Sequence, residues 1–315
     1  MNPGGSVLAL SGGVGGAKLA LGLCRILPAE ALIVVANTGD DFEHLGLSVS
    51  PDLDTLLYTL SGQDNPELGW GRRGETWSFM AALEALGGET WFRLGDGDLA
   101  THVERTRRLK SGESLSAIID DFRRRYGIAA RLLPMSDDAV RTRLKTAAGW
   151  LDFQDYFVRL RCAPVISELA FAGAGSARPH RDFAATLAAS NLEAVVICPS
   201  NPFISIDPIL AVPGVRALLR QCRAPVVAVS PIIAGQAVKG PTAKMMAELR
   251  LPVEATTVAR HYRDFLDLYI ADEADAAAVA GLDMPVVLAH TLMQSLADRE
   301  ALARAVLSAA ERVRK

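Results

Sequence analysis

Ser11-Gly12-Gly13-Val14-Gly15-Gly16-Ala17-Lys18 follows directly on an aliphatic run, and helix-forming residues continue it to about Leu27. Glycines let a backbone turn tightly and let its N–H groups approach an anion, and the helix N-terminus that follows adds a partial positive charge. Lys18 adds a full one. The spacing is not that of a P-loop: the GxxxxGK[ST] frame from Gly12 puts Ala17 and Leu19 where Gly and Ser or Thr belong. It also misses GxGxxG, because that frame from Gly13 puts Lys18 at the third glycine. The stretch therefore reads as a phosphate or nucleotide site at a strand–helix turn, with more glycines than a bare turn needs.

Acids recur where other aliphatic runs stop. Asn37-Thr38-Gly39-Asp40-Asp41 ends the second run. In an open parallel sheet the ligand crevice lies beyond the carboxyl ends of the strands, so these acids fall beside the glycine turn. Two carboxylates next to a phosphate suit a divalent cation, since Mg²⁺ takes one or two of them plus phosphate oxygens; an Asx turn or helix cap is the plainer use. Ser50-Pro51-Asp52-Leu53-Asp54-Thr55 opens a helix with Ser50 as N-cap and Pro51 at the first position. Residues two apart do not share a helix face, so one acid can serve the helix end while Asp54 points into the crevice. A third acidic site, Gly95-Asp96-Gly97-Asp98-Leu99-Ala100-Thr101-His102, follows the strand-like Trp91–Leu94 and Arg93. Asp96 or Asp98 is expected to cap the helix that begins there. His102 has no metal-site spacing around it and reads as structural.

Two later segments complete the set. Ser200-Asn201-Pro202-Phe203-Ile204-Ser205-Ile206-Asp207-Pro208 follows a buried run, with Asp207 and Pro208 as a helix start and Asn201 and Ser205 as polar groups facing the crevice. Lys239-Gly240-Pro241-Thr242-Ala243-Lys244 opens another helix with two cations, either for a second phosphate or as a cap.

The elements that position these residues are short runs, apolar throughout: Val7–Ser11, Leu32–Asn37, Ala194–Ser200, Val226–Ser230, Val286–Ala289 and Leu268–Ala271. Continuous apolarity suits strands covered on both faces. Helical periodicity follows most of them, as at Leu53, Leu56, Leu57 and Leu60, or Leu99, Val103 and Thr106. The expectation is one α/β domain over 1–315, with a Rossmann-like, mostly parallel sheet, helices on both faces and a largely helical insertion at about 96–190. Within that insertion Arg131–Pro134 and Val165–Phe171 carry weak strand signals. The chain is expected to end in a surface helix over Leu292–Val313. The Arg105–Arg107–Arg108 and Arg123–Arg124–Arg125 clusters read as solvated helix faces beside Glu104, Asp120 and Asp121.

The 315 residues carry 33 Lys+Arg against 36 Asp+Glu, a net charge of −3, and half are apolar. That excludes a disordered chain and argues against a nucleic-acid binder, which needs a basic excess. Cys24, Cys162, Cys198 and Cys222 form no CxxC, so reduced, buried thiols of a cytoplasmic protein are expected rather than zinc or disulfides. No apolar run approaches a membrane span, and no signal-peptide pattern opens the chain.

The glycine turn, Asn37–Asp41, Ser50–Thr55 (SPDLDT), Gly95–His102 (GDGDLATH), Leu133–Asp138 (LPMSDD) and Ser200–Ile206 (SNPFISI) together resemble the 2-phospho-L-lactate transferase family of coenzyme F-420 biosynthesis, with its bacterial phosphoenolpyruvate transferase branch. The similarity spans about residues 6–310. The resemblance implies a Mg²⁺-dependent transferase acting on lactyl-, enolpyruvyl- or glyceryl-diphosphoguanosine. The ribityl hydroxyl of the deazaflavin FO attacks the phosphorus bearing the acid, and GMP leaves. It implies deazaflavin contacts at Asp54, Arg93 and Asp96, and a nucleotide pocket at Gly12, Gly13, Gly15, Gly16, Lys18, Ser200, Asn201, Pro202 and Ser205. Asp54, Asp52 and Lys18 are the expected catalytic residues, and Asp40, Asp41 and Asp52 the expected metal ligands. A homodimer is implied too. The family commonly reads GDRD where this chain has Gly97, so one cation is missing there. A YvcK-like regulator that binds nucleotides without transfer chemistry is the alternative; that family reads closer to PPGDIRN at SPDLDT. A dehydrogenase fits less well, because the GxGxxG frame is broken.

Overall fold

Fourteen strands and twelve α-helices arise from these patterns in a computed structural model that describes residues 4–67, 69–238 and 240–314. The strands are β1 (Ser6–Ser11), β2 (Leu32–Ala36), β3 (Phe42–His44), β4 (Leu47–Val49), β5 (Arg131–Pro134), β6 (Arg141–Thr146), β7 (Gly149–Asp152), β8 (Ile166–Ala172), β9 (Leu192–Ile197), β10 (Val226–Val229), β11 (Ile232–Ile233), β12 (Gln236–Ala237), β13 (Leu268–Asp272) and β14 (Val286–Ala289). The helices are α1 (Gly13–Ile26), α2 (Pro51–Leu60), α3 (Ser78–Ala85), α4 (Asp96–Lys110), α5 (Leu115–Arg125), α6 (Arg181–Leu187), α7 (Asp207–Ala211), α8 (Val215–Gln221), α9 (Thr242–Glu248), α10 (Ala255–His261), α11 (Ala276–Val279) and α12 (Leu296–Arg312).

Seven strands form one sheet in the order β14-β13-β10-β9-β1-β2-β5, and every pair in it is parallel. Its first three strands run outward to one edge and its last four outward to the other, so β1 and β9 lie side by side at the point where the order reverses. Such a switch point opens a crevice at the strand ends. Alternate residues of each strand feed two separate cores. Leu8, Leu10, Val195 and Ile197 pack with Phe183, Ile209, Leu219 and Val258, on the side of α6, α7, α8 and α10. Val7, Ala9, Ala194 and Val196 pack with Leu19, Leu53, Ile118 and Leu302, on the side of α1, α2, α5 and α12. Coverage on both faces is the reason these strands read as unbroken apolar runs. No single helix among the described residues is long and apolar enough to cross a membrane.

The stretch 96–190 is less helical than expected. It contains α4, α5 and α6, but β5 joins the main sheet beside β2, and β7-β6-β8 form a separate antiparallel sheet. Leu144 and Ile166 of that sheet are buried in the first core. β6 alternates buried and less buried residues, a period-2 pattern obscured in the sequence by its Arg and Lys positions. Trp91–Leu94 is not a strand among the described elements. Trp91 and Phe92 pack instead against Phe42 and His44 of β3.

Candidate active site

The switch point is stitched shut by side chains. At the end of β1 the Gly12 N–H donates to Ser200 Oγ (3.2 Å), and that hydroxyl donates back to the Gly12 carbonyl (2.8 Å). Asn37, at the end of β2, donates from Nδ2 to Asp52 Oδ2 (2.9 Å) and to the Ile204 carbonyl (3.1 Å). These bonds hold the glycine turn, the start of α2 and the 199–206 segment around one cavity of about 870 Å³, within the size range of small-molecule sites.

The glycine stretch is a helix start more than a loop. Gly12 is the N-cap of α1, and Gly13, Gly15 and Gly16 fall in its first turn. Gly13 takes φ +63°, a conformation open to glycine. Gly15 is demanded by packing, because a Cβ there would overlap the Pro199 carbonyl oxygen. Glycine richness therefore lets α1 approach the 199–206 segment closely. Gly15→Ala is expected to destabilise the protein by about 1–3 kcal/mol, the usual cost of forcing a packed backbone apart; urea unfolding checks this, and an unchanged midpoint refutes the packing role.

Asp52 does not stand free at this turn. Its Oδ1 accepts from the Gly13 N–H (2.7 Å) and its Oδ2 from Asn37. A carboxylate at a helix N-terminus is electrostatically favoured, so Asp52 holds α1 and α2 together and occupies one first-turn amide. Val14 and Gly15, also in that turn, have no intrahelical acceptor, and both line the cavity. Lys18 lines it too, with its Nζ donating to the Met293 carbonyl (2.8 Å).

Burial dominates the first acid group. It pushes Asp52 up to about 6 and Asp41 up to about 7. Burial, and then the Asp52 carboxylate beside it, hold Asp40 well above the ordinary carboxylate range. The expected metal ligands separate here. Asp40 and Asp52 line the cavity; Asp41 does not. Asp41 accepts from Ser50 Oγ (2.8 Å) and feels Arg141 and Arg105, which makes it a wall-building acid. Ser50 thus serves Asp41 and makes no side-chain cap to α2.

Metal-free protein should therefore lose stability as pH rises from about 4 through about 7. Between the ordinary 3.8 and the folded values of about 6 and 7, the folded chain holds protons that the unfolded chain has released. Stability then falls with rising pH across that window. Thermal midpoints at pH 5.5 and pH 8 in chelator check this: the account expects the higher value at pH 5.5, and the reverse order contradicts it.

A second acid group forms where α2 meets α4. Arg105 is fully buried and forms an ion pair with both Asp54 oxygens through its two Nη atoms. Burial works against its charge, and the Asp54 carboxylate overcomes that, raising the Arg105 pKa. His102 lies between two carboxylates, Nδ1 3.6 Å from Asp54 and Nε2 3.3 Å from Asp98. Asp98 also accepts from the Tyr58 hydroxyl (2.6 Å). Against burial, these partners hold Asp98 below its ordinary value. α4 thus buries a polar face of Asp98, Thr101, His102 and Arg105, while Val103 is 48% exposed. Of the stripe expected from Leu99, Val103 and Thr106 only Thr106 is buried, beside the polar face.

Asp96 lies outside the cavity wall. Its carboxylate accepts from the Ser78 and Phe79 N–H groups (3.0 Å each), capping α3. Glu75 in return accepts from the Gly97 and Asp98 N–H groups (2.7 and 2.9 Å), capping α4. The cap of α4 is thus neither of the two aspartates expected. Arg93 does line the cavity, with its guanidinium 4.1 Å from the Trp77 ring centre. Trp70, Trp91 and Phe92 give that part of the wall an aromatic character.

Of the remaining expected residues, Ser200, Asn201 and Ser205 line the cavity. Asn201 Oδ1 accepts from the Phe203 N–H (2.9 Å) and starts the π-turn Pro202–Ile206. Pro202 is buried behind the wall, as is Gly16, where a Cβ would meet Ser11 and Ser200. Lys244 is turned away, paired with Glu248 and donating to the Pro164 carbonyl (2.9 Å). Lys239 lies outside the described residues. Asp207 makes no cap and meets His261 Nε2 at 2.7 Å.

The chemistry of the donors decides which acids suit a divalent cation. Asp40 Oδ1 is buried with no hydrogen-bond partner, and a cation would relieve its crowding with Asp52. Oxygen donors beside an open helix N-terminus fit Mg²⁺. Asp54, Asp98 and His102 offer ligand atoms within 4.8 Å of one another, but Arg105 already neutralises Asp54 and one donor is a nitrogen. The Asp40–Asp52 pair is the better match.

A sequence model of the 2-phospho-L-lactate transferase CofD family matches residues 7–302. The chain belongs to this family. It is 40% identical to a phosphoenolpyruvate transferase of Kitasatospora aureofaciens, covering 98% of each chain. It is 39% identical to a 2-phospho-L-lactate transferase of Methanosarcina mazei, covering 96% of this chain and 100% of that one. A crystal structure of a UPF0052 family protein from Bacillus halodurans superposes with a TM-score of 0.64 at 14% identity, over 98% of this chain and 99% of that one; at that identity it supports the fold alone. CofD membership makes this chain an enzyme, a transferase of the phosphoenolpyruvate and 2-phospholactate class.

Proposed function

We propose that the chain moves a phospho-acid from its diphosphoguanosine ester to the ribityl hydroxyl of the deazaflavin FO, releasing GMP, in coenzyme F-420 biosynthesis. The observation that carries this reading is the meeting, in one cavity, of the α1 N-terminus with two buried acid groups and an aromatic wall. Phosphoryl transfer needs alignment and charge neutralisation more than a covalent nucleophile. The Val14 and Gly15 amides and Lys18 would receive the diphosphate. Bound at Asp40 and Asp52, Mg²⁺ would supply further charge neutralisation there. Asp54, held in place by its ion pair with Arg105, would orient the attacking hydroxyl and take its proton as the oxygen bonds to phosphorus. The bonding pair to the leaving oxygen departs with GMP. Arg93 and the aromatic wall would face the deazaflavin. The family resemblance carries the further expectation of a cytoplasmic homodimer acting on small molecules.

The test supplies protein, Mg²⁺ and FO with lactyl-, enolpyruvyl- and glyceryl-diphosphoguanosine together. Mass spectrometry of the product should show one dominant deazaflavin phosphodiester, with GMP released in equal amount. Absence of GMP with all three donors overturns the reading.

A further inference from the structure

Three Lys or Arg side chains line the cavity among the described residues: Lys18, Arg93 and Arg161. The first donates to the Met293 carbonyl and the second lies over the Trp77 ring. Arg161 has no ion pair, hydrogen bond or ring contact among the described residues, in contrast to Arg159 two positions earlier. Arg159 is paired with Asp155 (3.2 Å) and Glu89 (3.4 Å) and lies 5.0 Å from the Trp91 ring centre.

The backbone is built to put Arg161 there. Arg161 and Cys162 take φ +49° and +56° in succession, a left-handed pair that side chains with a Cβ resist. Such strain persists only where surrounding structure enforces it, and it collects at functional sites. Here the enforcement is visible. The π-turn Asp155–Arg159 is tied off by Cys162 N–H to the Tyr156 carbonyl (2.8 Å) and Ala163 N–H to the Leu160 carbonyl (2.9 Å). Upstream, Gln154 Nε2 donates to the Asp40 carbonyl (3.2 Å), which docks the turn against the first acid group. Downstream, Lys244 Nζ holds the Pro164 carbonyl (2.9 Å). The backbone that carries this exposed cation is thus fixed on a wall joined to Asp40, separate from the glycine turn.

We propose that Arg161 receives the carboxylate of the transferred acid, a group that all three activated acids carry and GDP lacks. This rests on the transferase reading and adds to it a residue for one group. The diphosphate has the α1 amides and Lys18; the deazaflavin has the aromatic wall. The acid's carboxylate is the charged group still without a partner, and a guanidinium can take it in two parallel hydrogen bonds.

Arg161→Gln and Arg161→Lys test this, with KM measured for the activated acid and for FO, alongside inhibition by GDP, which lacks the acid. Loss of a charge-assisted pair should raise the Arg161→Gln donor KM about 10- to 100-fold. FO KM and GDP inhibition should stay within about twofold, and Arg161→Lys should fall between. An unchanged donor KM overturns the assignment, and so does an equal loss of GDP inhibition, which would give Arg161 to the diphosphate. Wild-type protein that releases no GMP from any donor overturns the transferase reading and this assignment with it. Wild-type turnover beside an unaltered Arg161→Gln donor KM overturns this assignment alone.

Discussion

Asp54→Asn should lower turnover by about 10²- to 10⁴-fold, the usual contribution of a positioned acid–base group, and should also weaken the fold. The second effect follows from Arg105, which is fully buried against Asp54. Removing one partner of a buried ion pair leaves the other charge stranded, at about 3–5 kcal/mol. In a chain of this size that amounts to a fall on the order of 10 °C in thermal midpoint. Loss of activity in the single variant would therefore not separate chemistry from unfolding. Combining Asp54→Asn with Arg105→Met does, because an apolar side chain in place of the stranded guanidinium restores much of the stability. The double variant should unfold near the wild-type midpoint and still release GMP at the single variant's rate. Recovery of both stability and turnover would remove Asp54 from the reaction.

Asp40→Asn should act in opposite directions on stability and activity. Burial and the Asp52 carboxylate make the ionised Asp40 side chain costly in the metal-free protein, and its Oδ1 has no donor to offset that. A neutral amide relieves both, so the metal-free midpoint at pH 8 should rise. The same change removes a charge from the pair best suited to Mg²⁺. Turnover should then fall by at least about 10²-fold, and the stabilisation that Mg²⁺ gives the wild type by mass action should disappear. Thermal unfolding with and without Mg²⁺, beside GMP release, reads all three. A variant that is less stable without metal, or that keeps its Mg²⁺ response, contradicts the assignment.

The sequence was most legible where one element decides the outcome. The apolar runs became the parallel sheet because both of its faces are covered. The spacing in SPDLDT gave Asp52 and Asp54 different partners, the Gly13 N–H and Arg105, although both line the cavity. Legibility failed where two distant elements meet. Arg105 is indistinguishable from its neighbours Arg107 and Arg108 as a charge run, yet they pair with Glu104, Glu113 and Asp121 at the surface while it is buried on Asp54. Its phase was the available signal, since Asp98, His102 and Arg105 fall at i, i+4 and i+7 on α4. The exchange of caps between Glu75 and Asp96 had no local signature, because it depends on α3 and α4 starting side by side. Arg161 was equally hidden, as nothing in its neighbours announces two left-handed residues in a row.

In the proposed reaction one cavity, bounded by the α1 N-terminus and the aspartates of α2, α4 and the β2 end, holds both substrates in line. Crystals grown with GDP, FO and Mn²⁺ in place of Mg²⁺ test it most directly. The maps should show the diphosphate against the Val14 and Gly15 amides, an anomalous Mn²⁺ peak bound by Asp40 or Asp52, and the terminal FO hydroxyl within hydrogen-bond distance of Asp54. FO or GDP bound outside this cavity, or a hydroxyl turned away from Asp54, contradicts it.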